Sequence, residues 1–228
     1  MDLSIRLEKI ISMIDECDAI ADIGTDHGYI PINLIEKSIC KKVIAADINI
    51  GPLEKADKNI KAASLDNIET RLGPGLNIIK KGEVNVVIIA GMGGNLIRDI
   101  INENKDIFDS LDYAILQPVQ NPEILRKYLY ENDYKVIKED LVIDENIFYE
   151  IMKVEKSKSI IESDPIYYEI PRELILNNHP LIREYIESKI SYNENVINYI
   201  KSESISSMNR KKELKIKIDK LKELLQCL

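Results

Sequence analysis

Apolar runs and helix-period segments alternate along the first 160 residues. "AIADI" (19–23) is a continuous apolar run of strand length, and "YIPINLIEKS" (29–38) follows with helical spacing. The pair recurs as "KVIAAD" (42–47) and "PLEKADKNIKAAS" (52–64). "IETRL" (68–72) and "VNVVIIA" (84–90) predict two more strands, "NLIRDIINEN" (95–104) a helix, "YAILQP" (113–118) a strand and "PEILRKYLYEND" (122–133) a helix. "YKVIKEDLVID" (134–144) and "NIFYEIMKVEK" (146–156) then adjoin with no helix between them. Runs without polar alternation suit strands covered on both faces, and an adjacent final pair predicts an antiparallel hairpin at the edge of a mostly parallel sheet.

The pattern changes after Lys158. "SIIESDPIYYEIPRELILNNHP" (159–180) holds three prolines and reads as a connector. Beyond Leu181 no strand signal remains; Ile186, Ile190, Val196, Ile197 and Ile200 mark one apolar helix face. Leu214, Ile218, Leu221, Leu225 and Leu228 recur at heptad spacing, and the polar "SESISS" (202–207) is the expected turn between two antiparallel helices. The expected domains are residues 1–160 and 161–228. The fold class expected is α/β, a mostly parallel seven-stranded sheet of the Rossmann-like class I methyltransferase kind, followed by a helical, coiled-coil-like hairpin.

Composition narrows the partners. The chain has 228 residues and a net charge of −8, so a general nucleic-acid binder is disfavoured, yet residues 209–228 carry 7 basic against 3 acidic side chains. No apolar run reaches membrane-spanning length, and "MDLSIRLEKI" lacks the basic and apolar regions of a leader. Three scattered cysteines, none in a CxxC pair, read as reduced thiols of a cytoplasmic protein; no metal and a monomer are expected.

The chemistry concentrates in the loop after the first strand. Asp22, Gly24, Asp26 and Gly28 fit D-x-G-x-D-x-G, with Thr25 and His27 between them. A dinucleotide loop needs G-x-G-x-x-G to seat a pyrophosphate on a helix N-terminus, and that spacing is absent. Carboxylates repel pyrophosphate but suit S-adenosylmethionine (AdoMet), whose methionine end carries an ammonium beside a sulfonium. Asp26 is the expected ammonium partner and Asp22 shapes the turn; the competing reading makes Asp26 a cap for the next helix. Asp47, followed by Ile48, ends the second strand where an acid accepts ribose hydroxyls. Gly73, Pro74 and Gly75 stand where the adenine would lie, leaving its recognition to backbone groups. Gly91, Met92, Gly93 and Gly94 end the fourth strand beside the transferable methyl, without an acceptor side chain, which suits a nucleophile that already has a lone pair. His27 has three open roles: base, stacking surface or turn hydrogen bond.

"LSIRLEKI", "ADIGTDHGYIPI", "AADI", "RLGPGL", "IIAGMGG" and "LQPVQNPEILRKYL" together resemble the bacterial tRNA (adenine-22-N1)-methyltransferase family, TrmK, over essentially the whole chain. The resemblance implies AdoMet as donor, N1 of a tRNA adenine as acceptor and a C-terminal helical part that helps to hold tRNA. Asp26, His27, Gly91, Met92 and Gly93 are then the catalytic neighbourhood. Asp22, Gly24, Thr25, Asp26, His27, Gly28, Asp47, Ile48, Gly73, Pro74, Gly75 and Gly91 would hold the donor. Arg6, Tyr29, Gly94, Gln117, Arg126, Arg210, Lys211 and Lys212 would meet the tRNA. Two positions depart from the family pattern: Pro74 replaces an acid, and Val119 follows Gln117-Pro118 where an asparagine is usual.

Overall fold

The computed structural model describes residues 3–157 and 164–228. The chain forms two compact units, residues 1–162 and 163–228. The domain boundary expected at residues 160 and 161 lies outside the described residues.

In the first unit a helix, α1 (Ile5–Ser12), precedes β1 (Cys17–Ile23), α2 (Tyr29–Glu36), β2 (Cys40–Asp47), α3 (Ile50–Ala62) and β3 (Ile68–Leu72). A 3₁₀ turn at Gly75–Ile78 leads to β4 (Val86–Gly93), α4 (Gly94–Glu103), α5 (Lys105–Phe108), β5 (Tyr113–Gln120) and α6 (Pro122–Glu131). β6 (Tyr134–Asp144) and β7 (Ile147–Lys156) close the unit. The seven strands lie in the order β3-β2-β1-β4-β5-β7-β6, with β7 antiparallel to both β5 and β6. The expected sheet and its edge hairpin are therefore present.

Strand side chains divide strictly between two cores. Ala21, Ile23, Val87 and Ile89 face α4 and α6 through Ile97, Ile101, Leu125 and Leu129. Ile20, Val43, Val86 and Ile88 face α1, α2 and α3 through Ile10, Ile30, Leu34 and Ile60. Both faces are covered, which is why these strands read as unbroken apolar runs. Between β1 and β4 the strand order reverses, and in open parallel sheets the crevice at such a point receives the ligand.

The second unit holds α7 (Ile166–Glu169), α8 (Arg172–Leu176), α9 (Ile182–Tyr199) and α10 (Ile205–Gln226). The segment expected as a connector thus contains two short helices. Pro165 and Pro171 stand at their N-caps, outside the hydrogen-bonded ladder, where a missing N–H costs nothing. The turn before α10 is also shorter than expected, because Ser204 caps the helix by accepting from Ser207 N at 3.2 Å.

α9 buries Ile182, Tyr185, Ile186, Ile190 and Asn193, a face displaced toward its N-terminus from the expected one. On α10 only Leu214, Ile218 and Leu221 are buried, and Lys222 pairs with Glu194 at 3.2 Å. The two helices overlap through the C-terminal half of α10. Its first turns are exposed, Ile205 and Met208 included. No helix among the described residues is long and apolar enough to cross a membrane.

Candidate active site

The loop between β1 and α2 is shaped by backbone more than by side chains. The N–H groups of Gly24 and Thr25 both donate to Ala46 O, each at 2.8 Å, tying the loop to the end of β2. Gly24 has φ +81°, a left-handed conformation that favours glycine, and a Cβ there would also displace the Met92 side-chain terminus. His27 also has positive φ, at 60°, and its carbonyl accepts from Asn59 Nδ2 at 2.9 Å. The sequence gives no signal for that role of Asn59, which comes from α3. Gly28 is the N-cap of α2 and packs on Ala56, so Asp26 does not cap the helix. That removes the competing reading of its carboxylate.

Two chambers open at the C-terminal ends of β1, β2 and β4 and share Gly24, Ala90 and Gly91. The first, about 440 Å³, is lined by Arg6, Asp22, Asp26 and Tyr29 among others. The second, about 410 Å³, is lined by Asp47, Ile48, Gly73, Pro74, Gly75 and Met92 among others. Asp47 Oδ1 accepts from Asn49 N at 2.7 Å, which fixes the turn after β2. Glu103 of α4 and Ile100 also line this chamber. Sequence reasoning missed Glu103, a carboxylate brought to a cavity where Pro74 supplies none.

Asp22 is buried, and desolvation pushes its carboxyl up to about 6; the Thr25 hydroxyl pulls it down, and the Asp47 charge adds to the rise. Thr25 Oγ1 is itself buried and makes no hydrogen bond of good geometry. Asp26 differs sharply: its side chain is 72% exposed, with Oδ1 3.4 Å from His27 Nε2. The His27 ring stacks on Tyr29 with centroids 5.2 Å apart. His27 therefore borders the first chamber through Tyr29 and Asp26 rather than lining it.

Opposite the loop, the β4–β5 ladder slips on either side of Met92. The slip frees Gly91 N–H from the strand carbonyls, and Gln117 Oε1 accepts it at 3.1 Å. The same oxygen accepts from Arg6 Nη1 at 2.7 Å, while Gln117 Nε2 donates to Pro118 O at 2.9 Å. The Arg6 guanidinium also lies 5.3 Å from the centroid of the Tyr149 ring.

Besides His27, four expected site residues are placed otherwise. Gln117 is fully buried with its amide engaged as above, so it holds the wall rather than the tRNA. Gly94 is buried where an added Cβ would lie 2.3 Å from Asn121 O; its smallness serves the packing of α4 under the β5–α6 turn. Gly93 lies opposite Gln120 in the ladder and outside both chambers. Arg126 is wholly buried, its Nε and Nη2 donating to Glu139 at 3.1 and 2.5 Å and its Nη2 also to Glu150. Burial alone would lower its pKa, but the two carboxylates raise it above the usual value and keep it charged. Arg210, Lys211 and Lys212 belong to α10 of the second unit.

A doubly wound sheet with an edge hairpin, and a switch-point cleft that offers carboxylates in place of a phosphate cradle, define a class I methyltransferase. The methyltransferase-domain family matches residues 3–152. The tRNA (adenine(22)-N(1))-methyltransferase of Bacillus subtilis strain 168 is 35% identical over 156 residues, 68% of this chain and 66% of that protein. Its matched part thus spans about two-thirds of that relative's length. The M. capricolum TrmK, solved with S-adenosyl-homocysteine, has TM-score 0.85 and 28% identity, covering 99% of this chain and 98% of that one. A Streptococcus pneumoniae protein solved with S-adenosyl-L-methionine has TM-score 0.88 and 28% identity, covering 98% and 100%. The chain belongs to the tRNA (adenine-22-N1)-methyltransferase family, TrmK.

Proposed function

We propose that this protein transfers the methyl group of AdoMet to N1 of an adenine, position 22, in tRNA. The observation that carries the reading is the pairing of acid-lined and nucleoside-sized chambers across Gly24 and Gly91. Asp22 and Asp26 complement an ammonium, Asp47 the ribose hydroxyls, and Ile48 with Leu96 offers apolar walls for a purine. The buried Thr25 hydroxyl faces the Asp22 carboxyl in the same loop and keeps part of its charge in place for the ammonium.

Bound AdoMet supplies an electrophilic methyl. The adenine N1 lone pair forms the new bond as the carbon–sulfur bond breaks, and the positive charge passes to the purine. Gly91 leaves the approach unobstructed, and the Gln117 bond fixes its backbone, so the chain contributes alignment. Asp26 and His27 stand at the rim, placed to take the proton that the exocyclic amine then loses. Tyr29 presents a ring face on which an extruded base can stack. Incubating the protein with labelled AdoMet and tRNA transcripts carrying adenine or guanine at position 22 tests the reading. Label is expected only on the adenine transcript, as 1-methyladenosine; equal labelling of both rejects it.

Donor affinity should depend on pH through Asp22. Its raised pKa means the ligand-free protein holds a proton there below about 6, which an incoming ammonium must displace. Calorimetry at pH 5 is expected to give a Kd about tenfold weaker than at pH 7.

The second unit contributes tRNA affinity in this reading. Lys217, Lys220 and Lys222 are paired with Glu169, Asp164 and Glu194, and Arg210 with Glu213. Lys211, Lys212 and Lys215 have no ion pair among the described residues. Replacing these three by Ala is expected to raise the KM for tRNA about tenfold and to reduce its salt slope by roughly 2, with AdoMet affinity unchanged. An unchanged salt slope would remove the second unit from tRNA binding. A cytoplasmic location, where a tRNA substrate is met, belongs to this reading.

A further inference from the structure

The lining of the first chamber carries two carboxylates, Asp22 and Asp26, and a single cation, Arg6. We infer that Arg6 binds the carboxylate of the methyl donor, and not the tRNA backbone as its sequence context suggests. The inference deepens the AdoMet reading above and rests on it.

The methionine end of AdoMet is a zwitterion. A chamber that binds its ammonium through acids still has to receive its carboxylate, and a carboxylate left unpaired beside Asp22 and Asp26 would be repelled. Arg6 is the one lining group of opposite sign. It forms no ion pair among the described residues, and its nearest polar partner, Gln117, is a neutral amide. The guanidinium is thus oriented without being neutralised. One N–H is committed to Gln117, and the planar fork retains further donors for a bidentate partner.

The guanidinium is also rigidly placed. Gln117 Oε1 holds it and the Gly91 N–H at once, so the cation is registered to the wall beside the reacting methyl. Tyr149 supports its face. α1 itself is tied to β6 by the Lys9–Asp140 pair at 3.1 Å and by Arg6 N–H to Asp144 at 3.4 Å. A tRNA phosphate entering the chamber would bring a negative charge with no ammonium to offset the two acids. The donor brings both charges together, and this decides between the two anions.

The test compares AdoMet with decarboxylated AdoMet, which keeps the nucleoside, sulfonium and ammonium. Calorimetry on the wild-type protein is expected to favour AdoMet by about 10- to 100-fold. Arg6→Gln is expected to lose that preference, binding AdoMet more weakly by the same factor and the decarboxylated donor almost unchanged. Arg6→Lys should recover part of the preference, and unchanged melting curves would show that both variants fold. A preference retained in Arg6→Gln, accompanied by a raised KM for tRNA, would overturn the inference and return Arg6 to the RNA. Binding of neither donor by the wild-type protein would instead overturn the AdoMet reading, and this inference with it.

Discussion

Asp22→Asn is expected to raise the melting temperature of the ligand-free protein and to weaken AdoMet binding about 100-fold. The side chain is 4% exposed, and burial holds its pKa near 6. The folded state therefore binds this proton more tightly than the unfolded chain does. The contribution to stability declines as pH rises from about 4 to 6, and the whole penalty, about 3 kcal/mol, is present at pH 7. Asn removes the charge but leaves an incompletely paired buried amide that returns about 1–2 kcal/mol of the gain. A net gain of about 1 kcal/mol corresponds to a rise of roughly 3 °C. Scanning calorimetry at pH 7 reads the first effect and titration with AdoMet the second. A lower melting temperature, or undiminished affinity, would show that Asp22 shapes the turn rather than holding charge in reserve for a ligand.

Arg126→Met is expected to destabilise the first unit by about 3–5 kcal/mol, a fall of roughly 10–15 °C in its melting temperature. The guanidinium lies at 0% side-chain exposure between Glu139 and Glu150, themselves 2% and 3% exposed. Removing it leaves two buried carboxylates facing one another. The triple variant Arg126→Met, Glu139→Leu, Glu150→Leu should recover most of the loss, because no buried charge is then left unpaired. Both variants, assayed below their transitions, should keep the KM for tRNA. A raised KM in the triple variant would give Arg126 a part in RNA binding that its burial denies it.

Asp22 and Arg126 differ in how far the sequence made them legible. Sheet order, edge hairpin and loop position follow from local pattern, because strands covered on both faces leave continuous apolar runs and the hairpin leaves no room for a helix. The place of Asp22, Gly24 and Asp47 at the cleft is legible from their spacing to strand ends. Arg126 was misassigned because it sits in "LRKYLYEND", where a basic residue on an amphipathic helix looks solvated. Its partners are 13 and 24 residues further on, in a hairpin whose register no spacing reveals. Gln117, Asn59 and Glu103 act through contacts of the same long-range kind. The short helices α7 and α8 were hidden because prolines that break a pattern also stand at helix caps.

The slipped β4–β5 ladder gives the protein an internal gauge of occupancy. The amide of Gly91 is a strand amide by position, yet its acceptor is a side chain that also grips Arg6. Its hydrogen-exchange rate and its nitrogen frequency are therefore expected to respond to the Gln117 contact as well as to opening of the sheet. A ligand that tightens the Arg6–Gln117 contact would slow exchange at this single position while its strand neighbours Ile88 and Ile89 keep their rates. One backbone resonance can then report, along a titration, when the contact between Arg6 and Gln117 changes.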